Sequence, residues 1–183
     1  MGKGTVISVL KSDFPQFVYP ISHTTREKRP NEKDGEVYHF IHPDRFREGI
    51  KNGEFLEWAQ VHKSSYYGTL KKPIVDALEA GKIVIREVDV QGFHSISKVI
   101  PLKNLVTIFL KAESLEKLQE RIVKRGKLPD DEIARRMESA KKELEAAQLF
   151  DYQIWSLEGK IPECVAEVEK IISEEAEKAG LKI

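Results

Sequence analysis

The pattern of apolar and polar positions divides the chain into two parts of different texture. In the second half, strand-like apolar runs alternate with segments of helical periodicity. The strand-like runs are residues 82–90, 105–111 and 152–156, and the helical segments are residues 113–124, 130–149 and 162–179. Strands that alternate with helices are joined by right-handed crossovers, so this pattern predicts an α/β fold with a mostly parallel sheet flanked by helices.

The first half has shorter alternating stretches and many turn residues. Residues 37–41 and 55–61 alternate like half-buried strands. We therefore expect a small lobe at residues 22–81, inserted into a core of residues 1–21 and 82–183. The polar break between two helices predicts a helical lid at about residues 122–137.

Composition narrows the class of protein. The 183 residues suffice for one good-sized core, and thirty basic residues balance thirty acidic ones. With no net charge, nothing in the bulk electrostatics favours nucleic acid or an anionic membrane as a partner. No apolar run approaches the roughly 20 residues of a membrane span, and no signal peptide is evident, so we expect a cytoplasmic protein. The single cysteine, Cys164, is expected to be a buried apolar residue.

Residues 22–38 contain the side chains of a site for a small dianion. Arg26 and Arg29 can each present a planar fork of donors to phosphate oxygens, and Ser22 and Tyr38 add neutral hydroxyl donors. The alternative is a solvated loop with surface arginines.

The N-terminus resembles the back half of a phosphate-binding loop. Gly2, Lys3, Gly4 and Thr5 open a segment that we expect to be helical. In such loops, backbone amides and the lysine hold nucleotide phosphates. The alternative is an incidental polar terminus.

Carboxylates occur in two strand-like segments of the sequence. Glu54 and Glu57 are expected to point in different directions, so that only one of them faces a cavity, where it could accept hydrogen bonds from a guanine edge. Glu87 and Asp89 come at the end of a predicted strand, where they could bind magnesium through water or contact a substrate; a structural ion pair is the alternative.

Taken together, these motifs resemble the bacterial type of guanylate kinase along essentially the whole chain. The segments that carry the resemblance are Ser22-His23-Thr24-Thr25-Arg26, Arg29-Pro30, Asp34-Gly35, Tyr38-His39-Phe40, Gly53-Glu54-Phe55, Glu57-Trp58-Ala59, Tyr67-Gly68-Thr69 and Asp89-Val90-Gln91-Gly92. The resemblance implies a P-loop NTPase-type sheet, a lobe at residues 22–81 that binds guanosine monophosphate (GMP), and a helical lid.

The resemblance also implies a role for each matching residue. The GMP phosphate would be held by Ser22, Arg26, Arg29, Tyr38 and Tyr67. Glu57 and Thr69 would read the guanine, with Asp89 at the base or ribose side. Lys3 and Thr5, with Gly2 and Gly4, would contact ATP; Thr5 and Glu87 would lie near Mg²⁺; and Arg125 and Arg136 would contact the phosphoryl group in flight.

The implied reaction is transfer of the terminal phosphoryl of ATP to GMP, which requires positioning and neutralisation of charge rather than a nucleophilic side chain. Neither His23 nor His39 is needed as a base, and we expect structural roles for both. A competing hypothesis is a catalytically inactive guanylate kinase-like module that binds GMP or a protein partner. The sequence predicts no oligomeric state.

The chain departs from the family pattern at its start. The family begins with a strand and a loop of the form Gly-Pro-Ser-Gly-x-Gly-Lys, of which Gly2 and Lys3 match the last two positions. We therefore expect the first strand of the sheet to be missing, and a start site annotated inside a longer reading frame is one explanation. Two smaller departures are an extra residue at Ser64-Ser65 and Glu87 in place of aspartate.

Overall fold

The computed structural model describes residues 2–61, 65–124 and 129–183, with the backbone alone at residues 121 and 124. It divides into two compact units. The first contains residues up to Phe14 together with Leu102–Ile183, and the second is Pro15–Pro101. Residues 15–21 and 82–101 thus cluster with the unit that contains the expected lobe at residues 22–81. The functional boundaries of lobe and core stay a prediction.

The second unit is built on a four-stranded sheet. Its strands are β1 (Ser22–Thr24), β2 (Tyr38–Phe40), β3 (Phe55–Val61) and β4 (Ser65–Leu70), in the spatial order β2-β1-β4-β3. β1 and β2 are parallel, whereas β4 runs antiparallel to both β1 and β3. The sheet is therefore mixed, in agreement with the different texture of this part of the sequence.

Three helices complete the second unit: α2 (Pro43–Lys51), α3 (Lys71–Glu79) and α4 (Val90–Ser97). α2 begins with proline at its first position, and His42 Nδ1 accepts a hydrogen bond from the Asp44 amide. Phe46 on α2 is fully buried and stacks on Phe55, with ring centroids 4.2 Å apart. This contact covers one face of the sheet.

The first unit contains α1 (Lys3–Asp13), β5 (Ile108–Lys111), α5 (Leu115–Lys124), α6 (Asp130–Glu145), β6 (Tyr152–Trp155) and α7 (Ile161–Lys178). β5 and β6 pair in parallel, and α7 buries an apolar stripe that includes Cys164, as expected. α5 and α6 share a small core of Leu118, Ile122 and Ala140. The expected α/β class is confirmed.

One predicted strand is wrong in extent. Within residues 82–90, the only pairing among the described residues is a bridge from Val84 to Val18, with backbone hydrogen bonds on either side. An apolar run predicts burial, but a strand also requires a neighbour of matching length, which this pattern cannot reveal.

Candidate active site

Most of the residues expected to bind GMP, the phosphoryl acceptor, lie on one face of the four-stranded sheet. We call them the acceptor residues. Directly paired residues of neighbouring strands, and alternate residues of one strand, share a face. Ser22 is paired with Tyr38, and Glu57 is paired with Thr69. Tyr67, two residues before Thr69, lies on the same face. Five side chains from four strands are thus brought to one surface.

A β-bulge sets the direction of Glu57. Simple alternation would place Glu57 on the same face as Phe55, which packs against α2. The pairing of β3 with β4 shifts register between these two residues, so Phe55 is opposite Leu70 and Glu57 is opposite Thr69. The extra residue turns Glu57 to the face of Thr69. Glu54 instead pairs with Arg45, with Nη2 and Oε2 2.6 Å apart.

Arg26 lies beside the two tyrosines of this face. Its guanidinium carbon is 5.7 Å from the centre of the Tyr38 ring, and the Tyr38 and Tyr67 rings meet edge to face at 5.5 Å. The pKa of Arg26 is raised by its hydrogen bond to Glu32 first and also by one with Tyr67. Burial raises the pKa of the Tyr38 phenol. A phenol is protonated at neutral pH in any case, so its O–H can donate a hydrogen bond to a ligand.

Glu32 is a carboxylate that the sequence did not single out. Arg26 Nη2 donates to both of its oxygens, at 2.7 and 2.9 Å, and the Arg29 amide donates to Oε2 at 2.9 Å. These hydrogen bonds lower the pKa of Glu32. The carboxylate therefore occupies the donors that an anionic ligand would use. Its only sequence signal is an acid three residues after Arg29.

Arg86 is the second functional candidate that sequence reasoning missed. Its Nη2 donates to Glu57 Oε1 at 2.6 Å and to Ser22 Oγ at 3.2 Å. The available signal was a charged residue inside an apolar run. Thr69, on the same face, is 2% exposed, and its hydroxyl has no hydrogen-bond partner among the described residues. A buried hydroxyl without a partner is suited to a polar ligand.

Two further carboxylates of the same unit lie just before the first residue of α4. Asp89 caps α4, because its Oδ1 accepts the Gly92 amide hydrogen at 2.7 Å. Glu87 is exposed, and its charge contributes to the raised pKa of Tyr38. Both side chains are thus placed in the unit that carries the acceptor residues.

His23 and His39 lie on the opposite face of the sheet. Their rings are 4.7 Å apart, and His23 meets Phe55 edge to face. Burial, and then the neighbouring His39, lowers the pKa of His23. The contacts are those of packed side chains, as the sequence predicts.

The residues expected to bind ATP, the phosphoryl donor, lie in the first unit. Gly2 precedes α1 with φ of 92°, and a Cβ at this position would be 3.0 Å from Ser156 Oγ. The first amide bonded within the helix is that of Val6, which donates to Gly2 O. The amides of Lys3, Gly4 and Thr5 therefore lie at the positive end of the helix.

The expected lid is described only in part. Arg136 lies on α6, where its Nη2 is 2.6 Å from Glu132 Oε1 one turn earlier. Arg125 and Ser64 lie outside the described residues. The structure therefore describes one of the two expected lid arginines.

The described part of the chain contains no cluster of three or more His, Cys, Asp or Glu side chains arranged to bind a metal ion. None of its helices has the length and apolar character needed to cross a membrane.

Comparison with known proteins agrees with this arrangement. The family model described as guanylate kinase matches residues 1–175. The chain is 40% identical over 153 residues to the guanylate kinase of Helicobacter pylori, which covers 84% of this chain and 73% of that protein. It is 39% identical over 174 residues to the guanylate kinase of Carboxydothermus hydrogenoformans, covering 95% and 83%.

A solved structure supports the same assignment. The crystal structure of guanylate kinase from Anaplasma phagocytophilum superimposes with a TM-score of 0.73 at 27% identity, over 94% of this chain and 81% of that one. The expected P-loop NTPase-type fold is confirmed by this match. Because the family model extends over nearly the whole chain and the relatives align across both units, this protein belongs to the guanylate kinase family.

Proposed function

We propose that this protein transfers the terminal phosphoryl group of ATP to GMP, giving ADP and GDP. The family match and the guanylate kinase relatives support this reaction. The observation that carries the acceptor half is the single sheet face that presents Ser22, Tyr38, Glu57, Tyr67 and Thr69.

The proposed phosphate subsite consists of two arginines and three hydroxyl groups. They are Arg26, Arg29, Ser22, Tyr38 and Tyr67. An incoming phosphate dianion would replace the Glu32 carboxylate, or share its place, at the Arg26 fork. Arginine suits this exchange because its planar donors bind carboxylate and phosphate in the same geometry.

The proposed base subsite is formed by Glu57 and Thr69. Guanine offers a ring N–H and an amine on one edge, and a carboxylate can accept from both. The Thr69 hydroxyl, which is buried and has no hydrogen-bond partner in the described part of the chain, can bond the neighbouring carbonyl oxygen or ring nitrogen of guanine. Adenine presents an acceptor where guanine has its ring N–H, so it would face the carboxylate with the wrong polarity. Asp89 is proposed to assist at the base or ribose side.

The proposed donor subsite uses the start of α1. The amides of residues 3–5 and the Lys3 ammonium would bind phosphates of ATP, with Gly2 shaping the approach to the helix. Arg125 and Arg136 would neutralise charge on the transferring group. The reaction needs no nucleophilic side chain, because the acceptor is already an ionised phosphate.

Magnesium is the proposed cofactor. Mg²⁺ is usually held by one or two protein oxygens together with water and substrate phosphates. The exposed Thr5 hydroxyl and Glu87 carboxylate are oxygen donors of the required type. When bound, the ion would neutralise phosphate charge.

A coupled assay that follows ADP and GDP formation tests the proposed reaction. We expect turnover that depends on both ATP and GMP and falls when Mg²⁺ is chelated. Binding of GMP without ATP-dependent turnover would contradict the proposed reaction and support the binding module instead.

The base subsite is tested by Glu57→Gln. The glutamine amide has a donor NH2 in place of the second acceptor oxygen, so it cannot accept from the ring N–H and the amine of guanine side by side. We therefore expect the preference for GMP over adenosine monophosphate (AMP) to fall by about tenfold or more. Calorimetry with GMP, and competition with AMP, measures the preference. Glu54→Gln, whose carboxylate pairs with Arg45, is the matched control. An unaltered preference in Glu57→Gln would remove Glu57 from the proposed base subsite.

A further inference from the structure

Arg86 connects the two ends of the proposed acceptor site. One nitrogen of its guanidinium, Nη2, carries two hydrogens, and it donates to Glu57 Oε1 at 2.6 Å and to Ser22 Oγ at 3.2 Å. Glu57 belongs to the proposed base subsite and Ser22 to the proposed phosphate subsite. Arg86 therefore contacts both without being part of either.

The Arg86–Glu57 pair is largely shielded from solvent. The side chains are 17% and 13% exposed, whereas most other ion pairs among the described residues are far more exposed. A half-buried pair is screened less than a surface pair, and removing one partner leaves the other charge poorly solvated. Arg86 therefore acts on Glu57 strongly enough to hold its position.

The pairing leaves part of the Glu57 carboxylate available. Oε1 accepts from Arg86, while no described residue donates to Oε2. Thr69, directly opposite on β4, contributes a buried hydroxyl to which no described residue is hydrogen-bonded. The arginine thus holds Oε1 in place and leaves acceptor capacity at Oε2, on the face that Glu57 shares with Thr69.

Fixing the carboxylate matters for selectivity. A glutamate side chain has three rotatable bonds, and a freely rotating carboxylate can also turn away from an unsuitable base. A fixed carboxylate cannot turn away. It would then face the ring nitrogen of adenine, and because both groups are hydrogen-bond acceptors the contact is unfavourable. Selectivity then depends on Arg86 as well as on Glu57.

We propose that Arg86 is a positioning residue that fixes the Glu57 carboxylate and thereby sets the preference for guanine over adenine. This inference rests on the proposed base-reading role of Glu57. It extends that role to a residue that contacts the nucleotide only through its partner.

The test uses the ratio of GMP to AMP affinity in the full chain. R86M keeps the length of the side chain but removes every donor, and we expect the ratio to fall about tenfold, the equivalent of one charge-assisted hydrogen bond. R86K keeps the charge without the planar fork, and we expect a ratio between those of R86M and the wild type. R45M breaks the Arg45–Glu54 pair of the same unit, with side chains 51% and 32% exposed, and is expected to leave the ratio unchanged.

The E57Q variant separates this inference from the proposed function. If E57Q leaves the ratio unchanged, the base-reading role itself fails. If E57Q lowers the ratio but R86M does not, only the inference about Arg86 is overturned. The double variant R86M/E57Q is expected to match E57Q alone, and additive losses would overturn action through Glu57.

A purely structural role for Arg86 predicts a different result. Thermal unfolding would then show a lower midpoint for R86M while the GMP to AMP ratio stayed the same, which overturns the inference. If R86M does not fold, R86K decides: a lower ratio supports positioning, and an unchanged ratio overturns it.

Discussion

At the scale of single residues, two cations in and beside the proposed acceptor site are held in internal contacts. Arg26 is paired with Glu32, and Arg86 with Glu57 and Ser22. Such pairs keep half-buried charges compensated before a ligand arrives, and an anionic ligand must compete with them. Arg29 differs because it is exposed, and the Glu32 oxygen contacts its backbone amide.

Arg29→Ala is expected to weaken GMP binding by about tenfold or more, because a hydrogen bond to a charged group contributes about 1.5–3 kcal/mol. Calorimetric titration with GMP gives the affinity. Lys28→Ala removes the same charge from the neighbouring exposed position, and we expect its effect to stay below about threefold. Equal losses in the two variants would indicate general attraction and contradict a specific contact with Arg29.

At the scale of elements, the proposed site depends on the close approach of β3 and β4 at Gly68. A Cβ at this position would lie 2.9 Å from the carbonyl oxygen of Glu57 and equally close to side-chain atoms of Phe55 and Trp58. Only glycine lets β3 bulge here and turn Glu57 toward Thr69. Gly68 thus helps to set the direction of Glu57, the side chain that is proposed to read the base.

Gly68→Ala is expected to destabilise the second unit by about 1–3 kcal/mol, the usual cost of overpacking, since backbone and ring atoms cannot both move aside. Urea unfolding followed by tryptophan fluorescence measures the change, with Trp58 as the reporter in this unit. Lys71→Ala, at the exposed start of α3, is the control and should change stability by no more than about 0.5 kcal/mol. A Gly68→Ala protein as stable as this control would contradict the close packing.

Elements also differ in how readily the sequence predicts them. The strand at residues 55–61 and the helices that begin at residues 115 and 161 follow long, regular patterns and agree with expectation within about two residues. The helix expected at residues 130–149 begins at Asp130 as expected but ends at Glu145. α2, α3 and α4 have eight or nine residues each and were not expected. Two turns of helix are too short for periodicity to stand out, although Pro43 and the capping Asp89 were usable signals.

At the scale of the whole molecule, the proposed subsites for acceptor and donor belong to different compact units. The acceptor residues and Glu87 lie within Pro15–Pro101, whereas Lys3, Thr5 and Arg136 belong to the other unit. Each ligand is therefore expected to stabilise its own unit most directly.

Hydrogen exchange measures this division. GMP at about a hundred times its Kd stabilises the folded state by about 2.7 kcal/mol, and we expect amides of β1 and β4 to be slowed most. ATP is expected to slow amides at the start of α1 instead. The Arg29→Ala protein with GMP at the same concentration is the control, with weaker protection. Protection by GMP confined to residues 102–183 would contradict the proposed acceptor subsite.

The sequence by itself determined the α/β class, the family and the inventory of the acceptor subsite, because local periodicity and motif spacing are properties of neighbouring residues. Three features were decided by tertiary structure alone: the bulge that redirects Glu57, the pairing of Arg26 with Glu32, and the Arg86–Glu57 contact. The bulge and the Arg86–Glu57 contact join residues that are 12 to 29 positions apart in the sequence. All three features depend on the strand register that packing selects. Sequence pattern names the side chains of a site, whereas strand register and packing decide which of them meet.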